Sequence, residues 1–405
     1  ANDNDGNGNC DEYCEGSFVV SSEEDLQNIE ICAYITGDIT ISYSVGFDIN
    51  LLSNLTFIGG DLSIIGNTSL LNLNGFENVE YIAGNLLIAD NTNLENIDGL
   101  SSVNYVGGDV MIENNSSLAD LDGLLSLELI NGSFSISQNP VLVHLDGLYN
   151  LGLINGSLEI SNNKELLDMD GLYNLTDVLG DLDISDNDVL INLDGLQSLQ
   201  NIEGSLTIKF NPELTDLDGL SDLNIVLGFV EIGHNNLLVN IDGLEGTTNI
   251  GGLIKIKNNP ELLNLSGLIG LSFTNGNLII ENNANLVDIS GVWNLISIGG
   301  NLEFKNNNSL ESLYGLENLD SIDGNIKLDG NDTLQDIEGI ENVEDVDDIE
   351  VSNNPSLCQS LVDGFIDNLE DSGWTGNAIL VNNSDNDEDC DGYKIDDDCD
   401  GLADE

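Results

Sequence analysis

Arginine is absent from this sequence and lysine is scarce: seven lysines stand against 74 acidic residues, a formal charge of −67 over 405 residues. Such a surface repels phosphate backbones and anionic headgroups, which excludes nucleic-acid binding and polybasic membrane contacts. No apolar run approaches the ~18 residues a spanning helix needs, so no transmembrane segment is expected. There are two histidines, His144 and His234, with no nucleophile elbow, zinc-spaced histidine pair or phosphate loop to accompany them. No catalytic residues are therefore assigned. Cysteine is missing from the whole middle of the chain: Cys10, Cys14, Cys32, Cys358, Cys390 and Cys399 all lie towards the ends. An even number of terminal cysteines points to disulfide staples and an extracellular setting, with reduced, buried thiols as the alternative. A first residue Ala1 rather than Met fits a mature secreted chain.

What is present is a repeat. A glycine opens each copy, first at Gly60 and then every 24 residues through Gly324. The copy at Gly156 reads G-S-L-E-I-S-N-N-K-E-L-L-D-M-D-G-L-Y-N-L-T-D-V-L. Counting that glycine as zero, apolar residues fall at +2, +4, +10, +13, +16, +19 and +22; in the Gly84 copy these are Leu86, Ile88, Leu94, Ile97, Leu100, Val103 and Val106. The +2/+4 alternation is strand periodicity. The spacing of three elsewhere suits short extended segments joined at corners. A fixed period of this length means stacked supersecondary units, each covering its neighbour's apolar face. Thr247 and Thr274 take apolar places, where a looser wall is expected.

Position +7 is asparagine throughout: Asn67, Asn91, Asn115, Asn139, Asn163, Asn187, Asn211, Asn235, Asn259, Asn283, Asn307 and Asn331, continued one residue early by Asn354. Stacking places these amides above one another, where they can satisfy backbone groups at a sharp corner; a structural ladder is expected rather than a binding row.

The chain divides into an acidic lead-in (1–9), an N-terminal cap (10–36), a solenoid (37–354), a C-terminal cap with a short helix (355–382) and an acidic tail (383–405). A Cys14–Cys32 bridge would pin the first cap to the first coil, and Cys390 and Cys399 could bridge each other or reach Cys358. The tail repeats a pattern nine residues apart, Asp387-x-Asp389-Cys390-Asp391-Gly392 and Asp396-x-Asp398-Cys399-Asp400-Gly401. Alternate carboxylates followed by glycine can converge on one hard cation, so Asp385, Asp387, Asp389, Asp391, Asp396, Asp398, Asp400 and Asp404 are candidate calcium ligands. A solvated acidic tail is the alternative.

Five of the seven lysines share one outward strand face: Lys209, Lys257 and Lys305 at +5, and Lys255 and Lys327 at +3, interleaved with Glu231, Glu281, Glu303 and Asp329. They mark either charge balancing or a binding face. Recognition should reside in the variable outward positions +1, +3 and +5.

The recurrent L-x-x-L-x-G-L-x-x-L-x-x-I-x-G-x-L-x-I-x-x-N resembles the receptor L-domain type of leucine-rich solenoid, as found in growth-factor-receptor ectodomains, fungal cell-wall proteins and secreted Bacteroidetes proteins. Cys14, Gly16, Asp25, Leu26, Cys32, Gly37 and Ile41 match that family's entry pattern, and the resemblance covers roughly 14–382. It implies a mainly β, right-handed parallel solenoid, here of about thirteen coils, and extracellular binding or adhesion rather than chemistry. The expected function is a secreted or cell-surface module presenting a sheet face to a glycan or protein ligand, with a calcium-binding tail. The alternative is a structural rod or self-assembling filament subunit.

Overall fold

The computed structural model describes residues 13–42 and 49–384. The chain separates into two compact units, one of Ala1–Leu238 with Asp242–Thr247, the other of Val239–Ile241 with Thr248–Glu405. Both are parallel β solenoids of 24-residue coils.

In the first unit each coil contributes a four-residue strand, such as Leu86–Ala89, Val110–Glu113 and Phe134–Ser137, and a two-residue strand, such as Tyr81–Ile82, Tyr105–Val106 and Leu129–Ile130. Equivalent strands of successive coils pair in parallel and in constant register, Val110 opposite Leu86 and Phe134. That register follows from a period without insertions: a slip of one residue would turn the +2 and +4 side chains out of the core. Leu86 and Ile88 are fully buried, as are their counterparts in every neighbouring coil. The second unit repeats the scheme with four-residue strands from Ile254–Lys257 to Ile349–Ser352, closed by Ala378–Val381.

The third side of the coil differs from expectation. The three-residue spacing of +13, +16 and +19 belongs to consecutive 3₁₀ turns, not to extended segments. Leu100 N–H donates to Ile97 O and Val103 N–H to Leu100 O, both at 2.9 Å. Three residues per turn bring every third side chain to one face, which is why a spacing of three still fills one core. The turn Asp98–Leu100 is typical. A side chain two residues upstream closes its start: Asp122 N–H donates to Asp120 Oδ1 at 3.2 Å and Asp194 N–H to Asn192 Oδ1 at 3.1 Å.

The glycine inside D-G-L is dictated by the coil before it. A Cβ at Gly147 would overlap the Leu121 carbonyl.

The N-terminal cap holds the short helix Glu23–Gln27, whose first turn is capped by Ser22 Oγ. Cys14 and Cys32 form a disulfide with Cα atoms 5.8 Å apart. The C-terminal cap holds the helix Gln359–Asp371, which buries Val362, Phe365, Ile366 and Leu369. These four positions, 362, 365, 366 and 369, share one face at helical spacing. Thr247 and Thr274 do not loosen the wall. They are 1% and 3% exposed, and their hydroxyls bond Leu223 O at 3.0 Å and Gly276 O at 2.9 Å.

Candidate ligand-binding face

The asparagines at +7 are fully buried and form continuous ladders within each unit. Asn163 donates its backbone N–H to Asn187 Oδ1 at 3.1 Å and its amide to Ile136 O at 2.8 Å. Its own Oδ1 accepts from the backbone N–H of Asn139 at 3.1 Å. In the second unit the series runs through Asn331 and Asn354 to Asn383, whose Oδ1 accepts from Asn354. These amides have no capacity left for a ligand; they hold the corner.

The residue just before the ladder turns that corner with positive φ. In the first unit it is Gly66, Asp90, Asn114, Gln138, Asn162, Asp186, Phe210 and His234, with φ between 54° and 68°. Glycine, asparagine and aspartate tolerate this left-handed region; most other side chains do not. Their enrichment at +6 was a legible signal.

Position +1 is not a recognition position. Its short polar side chains form a second ladder: Asp109 N–H donates to Asn85 Oδ1 at 2.7 Å, Ser133 N–H to Asp109 Oδ1 at 2.8 Å and Asp181 N–H to Ser157 Oγ at 3.0 Å. In the second unit Asn301, Asn325, Asp348 and Asn377 continue the same pattern. The outward face of the four-residue strands is therefore left to +3 and +5.

In the second unit that face carries Lys255, Lys257, Lys305 and Lys327. Parallel register places Lys257 opposite Glu281, Glu281 opposite Lys305, and Lys305 opposite Asp329. Lys305 pairs with Glu303, and Lys327 Nζ lies 2.6 Å from Glu350 Oε2. The bond from Glu350 raises the Lys327 ammonium above its ordinary value. Burial pushes Glu303 up, but the Lys305 and Asn301 hydrogen bonds outweigh it and hold the carboxyl low. Beside these pairs is a hollow of about 230 Å³, with Asn301, Asn325 and Asn377 along one side and Glu303, Lys327, Glu350 and Ile379 along the other.

In the first unit the face carries Lys209 at the end of strand Leu206–Lys209. Asp183 stands opposite Glu159 and Thr207 in register. Its Oδ1 is buried, with no hydrogen-bond partner among the described residues. Burial raises this carboxyl, against the lowering effects of the Ser185 hydrogen bond and Lys209.

Two aromatic columns went unnoticed in sequence. Phe57, Tyr81 and Tyr105, one per coil on the two-residue strands, stack with centroids 5.3 and 4.5 Å apart. Phe210 and His234 stack at 4.3 Å. His144 Nδ1 lies 2.8 Å from Asp168 Oδ2 in the next coil. Among the described residues no cluster of histidine, cysteine and acids could hold a metal ion, and no helix is long and apolar enough to cross a membrane. Cys358 is disulfide-bonded. The candidate calcium ligands Asp385, Asp387, Asp389, Asp391, Asp396, Asp398, Asp400 and Asp404, with Cys390 and Cys399, lie outside the described residues.

Parallel coils, inward leucines and a buried asparagine ladder define a leucine-rich β solenoid. Residues 31–118 and 80–171 each match the receptor L domain family. No curated protein matches the chain.

Proposed function

We propose that this chain is an extracellular, non-catalytic binding protein whose ligand, a glycan or a protein, lies against the outward face of the four-residue strands in the second unit. The observation that carries this reading is the hollow beside Glu303, Lys327 and Glu350. It is concave, with the charged +3 side chains Glu303, Lys327 and Glu350 beside one apolar wall, Ile379, a few polar groups converging on apolar surface as recognition sites have, while the +1 amides at its edge serve the ladder. The ladders and the leucines are occupied by the fold, so variation at +3 and +5 is free to set specificity. The disulfide of the N-terminal cap and the receptor L domain match support an extracellular setting. Glycan and protein arrays probed with the full chain and with Lys327→Glu test the reading. Binding by the parent and at least tenfold weaker binding by the variant is expected. An array with no ligand, or equal binding by both proteins, would refute it.

The acidic repeat from Asp385 to Asp404 is proposed to take calcium, from the spacing of its carboxylates alone. Calorimetric titration should show saturable heat and a raised Tm; neither effect would appear if the segment is only a solvated tail.

A further inference from the structure

The geometry points to a head-to-tail contact between copies of this chain, in which the strand Ala378–Val381 that closes the second unit pairs with the strand Phe18–Val20 that opens the first unit of another copy. Each is a terminal strand, paired on one side only among the described residues: Phe18 stands opposite Ile39, and Ala378 opposite Ile349. In the coils behind the last strand the residues at +2 and +4 are fully buried, as Ile326 and Leu328 are. At the end itself Ala378 at +2 is exposed and Leu380 at +4 only half-buried, so the core stops uncovered. At the opposite end Phe18 at +2 is likewise half-buried. The outward +3 residues of the two end strands, Val19 and Ile379, are 64% and 55% exposed, while the coils beside them carry Thr40 and Glu350. An exposed apolar sheet edge is a template for pairing with another chain.

The hydrogen bonds left unfinished at one end are those missing at the other. Along the second unit the N–H at +2 donates to the +1 carbonyl of the next coil, Ile326 to Asp348 O at 3.0 Å and Ile349 to Asn377 O at 2.9 Å. Ala378 N–H comes next in that series, and no described residue accepts from it. In the +1 ladder each side chain accepts from the N–H of the coil that follows: Asp38 N–H donates to Ser17 Oγ at 2.9 Å, and Asn377 N–H to Asp348 Oδ1 at 2.8 Å. Ser17 N–H begins this ladder with no acceptor among the described residues, and Asn377 ends it with an Oδ1 that receives no donor among them. A second copy stacked as one more coil completes both. Ala378 N–H then meets its Ser17 O, and Asn377 Oδ1 its Ser17 N–H. The same register sets Phe18 over Ala378, a ring over a methyl group, with Val19 beside Ile379 and Val20 over Leu380.

The occupant follows from this continuity. The open end takes a short polar residue with a free N–H followed by three apolar residues in a parallel strand, and Ser17-Phe18-Val19-Val20 is that sequence, already shaped for coil stacking where it meets Ile39 and Ile41. The two surfaces differ, so each copy in a pair keeps one free end, and association gives rings or open chains. Charge opposes the contact: each chain carries −67, with Glu15, Glu23 and Glu24 near the first strand in sequence and Asp347 and Asp348 near the last coil's start. The ends therefore meet when salt screens them.

This contact does not depend on the ligand proposed for the hollow, although Ile379 borders both, and the variants keep the two apart. Sedimentation velocity of the full chain is run over a range of protein concentrations, with chelator present so that calcium plays no part. The two conditions are about 0.1 M and about 1 M sodium chloride, where the Debye length is about 10 Å and about 3 Å. At high salt the mass should grow with concentration; at low salt it should stay near the monomer. Val19→Glu puts a charge on the first strand, and Ala378→Pro removes only the outward N–H, a change an edge strand tolerates. Each alone should weaken association at least tenfold with circular dichroism and Tm unchanged. If Ala378→Pro folds poorly, Val19→Glu carries the test by itself, since its site is exposed. Mixed in equal amounts, the two variants hold one sound end each and should form a one-to-one pair that grows no further. Lys327→Glu, which alters the hollow and neither end strand, should associate as the parent does. A chain that stays monomeric at high salt, association indifferent to salt, variants that associate like the parent, or a mixture of well-folded variants that does not pair overturns the proposal. Loss of association in Lys327→Glu places the contact at the hollow and overturns it too.

Discussion

Replacing Asn163 by alanine removes one rung from the buried ladder. The backbone N–H of Asn139 then loses its acceptor, and Ile136 O, which also lies in the parallel strand ladder, loses the amide donor it has at 2.8 Å. Both groups lie in a fully buried corner that water does not reach. An unsatisfied buried backbone N–H costs about 1–3 kcal/mol and the lost amide bond to a carbonyl that keeps its strand partner about 0.5–1.5 kcal/mol, so the two together predict a loss of about 1.5–4.5 kcal/mol. The matched comparison is Asn150, an exposed residue one side over, whose amide donates to Leu125 O at 2.7 Å. Water can replace that bond, and Asn150→Ala should cost no more than about 1 kcal/mol. Asn163→Asp keeps an oxygen for Asn139 but buries a charge, so at pH 7 it should be worse than alanine and improve on acidification. Urea unfolding read by circular dichroism gives the midpoints. If Asn163→Ala and Asn150→Ala shift the midpoint equally, the ladder is not what holds the corner and the argument fails.

Two further outcomes follow from the coil geometry. Gly147→Ala forces a methyl into the Leu121 carbonyl and should destabilise by at least about 1–3 kcal/mol, whereas Gly152→Ala, whose nearest neighbour is Asn174 O at 3.9 Å, should be near neutral; paired thermal melts decide it. Burial, and then like charges in the same and adjacent coils, raises the carboxyls of Asp122, Asp170, Asp194 and Asp218 in the folded chain. A raised folded-state carboxyl binds protons more tightly than the unfolded one. Stability should therefore grow as pH falls from neutral towards about 4, and salt should act in the same direction. Below about 4 the lowered carboxyls of Glu303 and Asp329 protonate, and their contribution is lost. A Tm that falls steadily from pH 7 to pH 4.5 would contradict this.

The fold was legible because every coil carries the same information. The 24-residue period, the alternation at +2/+4 and the asparagine row were visible without coordinates, since each rests on side-chain chemistry repeated at fixed spacing. The 3₁₀ turns were misjudged because a spacing of three marks a buried face without saying which backbone presents it. The lysines were placed on their face, but their partners were not: whether Lys327 meets Glu350 depends on which residues of neighbouring coils stand side by side.

The sequence alone thus determined a stacked parallel solenoid with a polar ladder inside it, through periodicity, which is a local property of the chain. Only the tertiary structure decided that +1 is a second ladder, that +6 is a left-handed corner, and that the rings of Phe210 and His234 stack there. Contacts between residues 24 apart exist only once the coils are stacked in register, and no single repeat contains them.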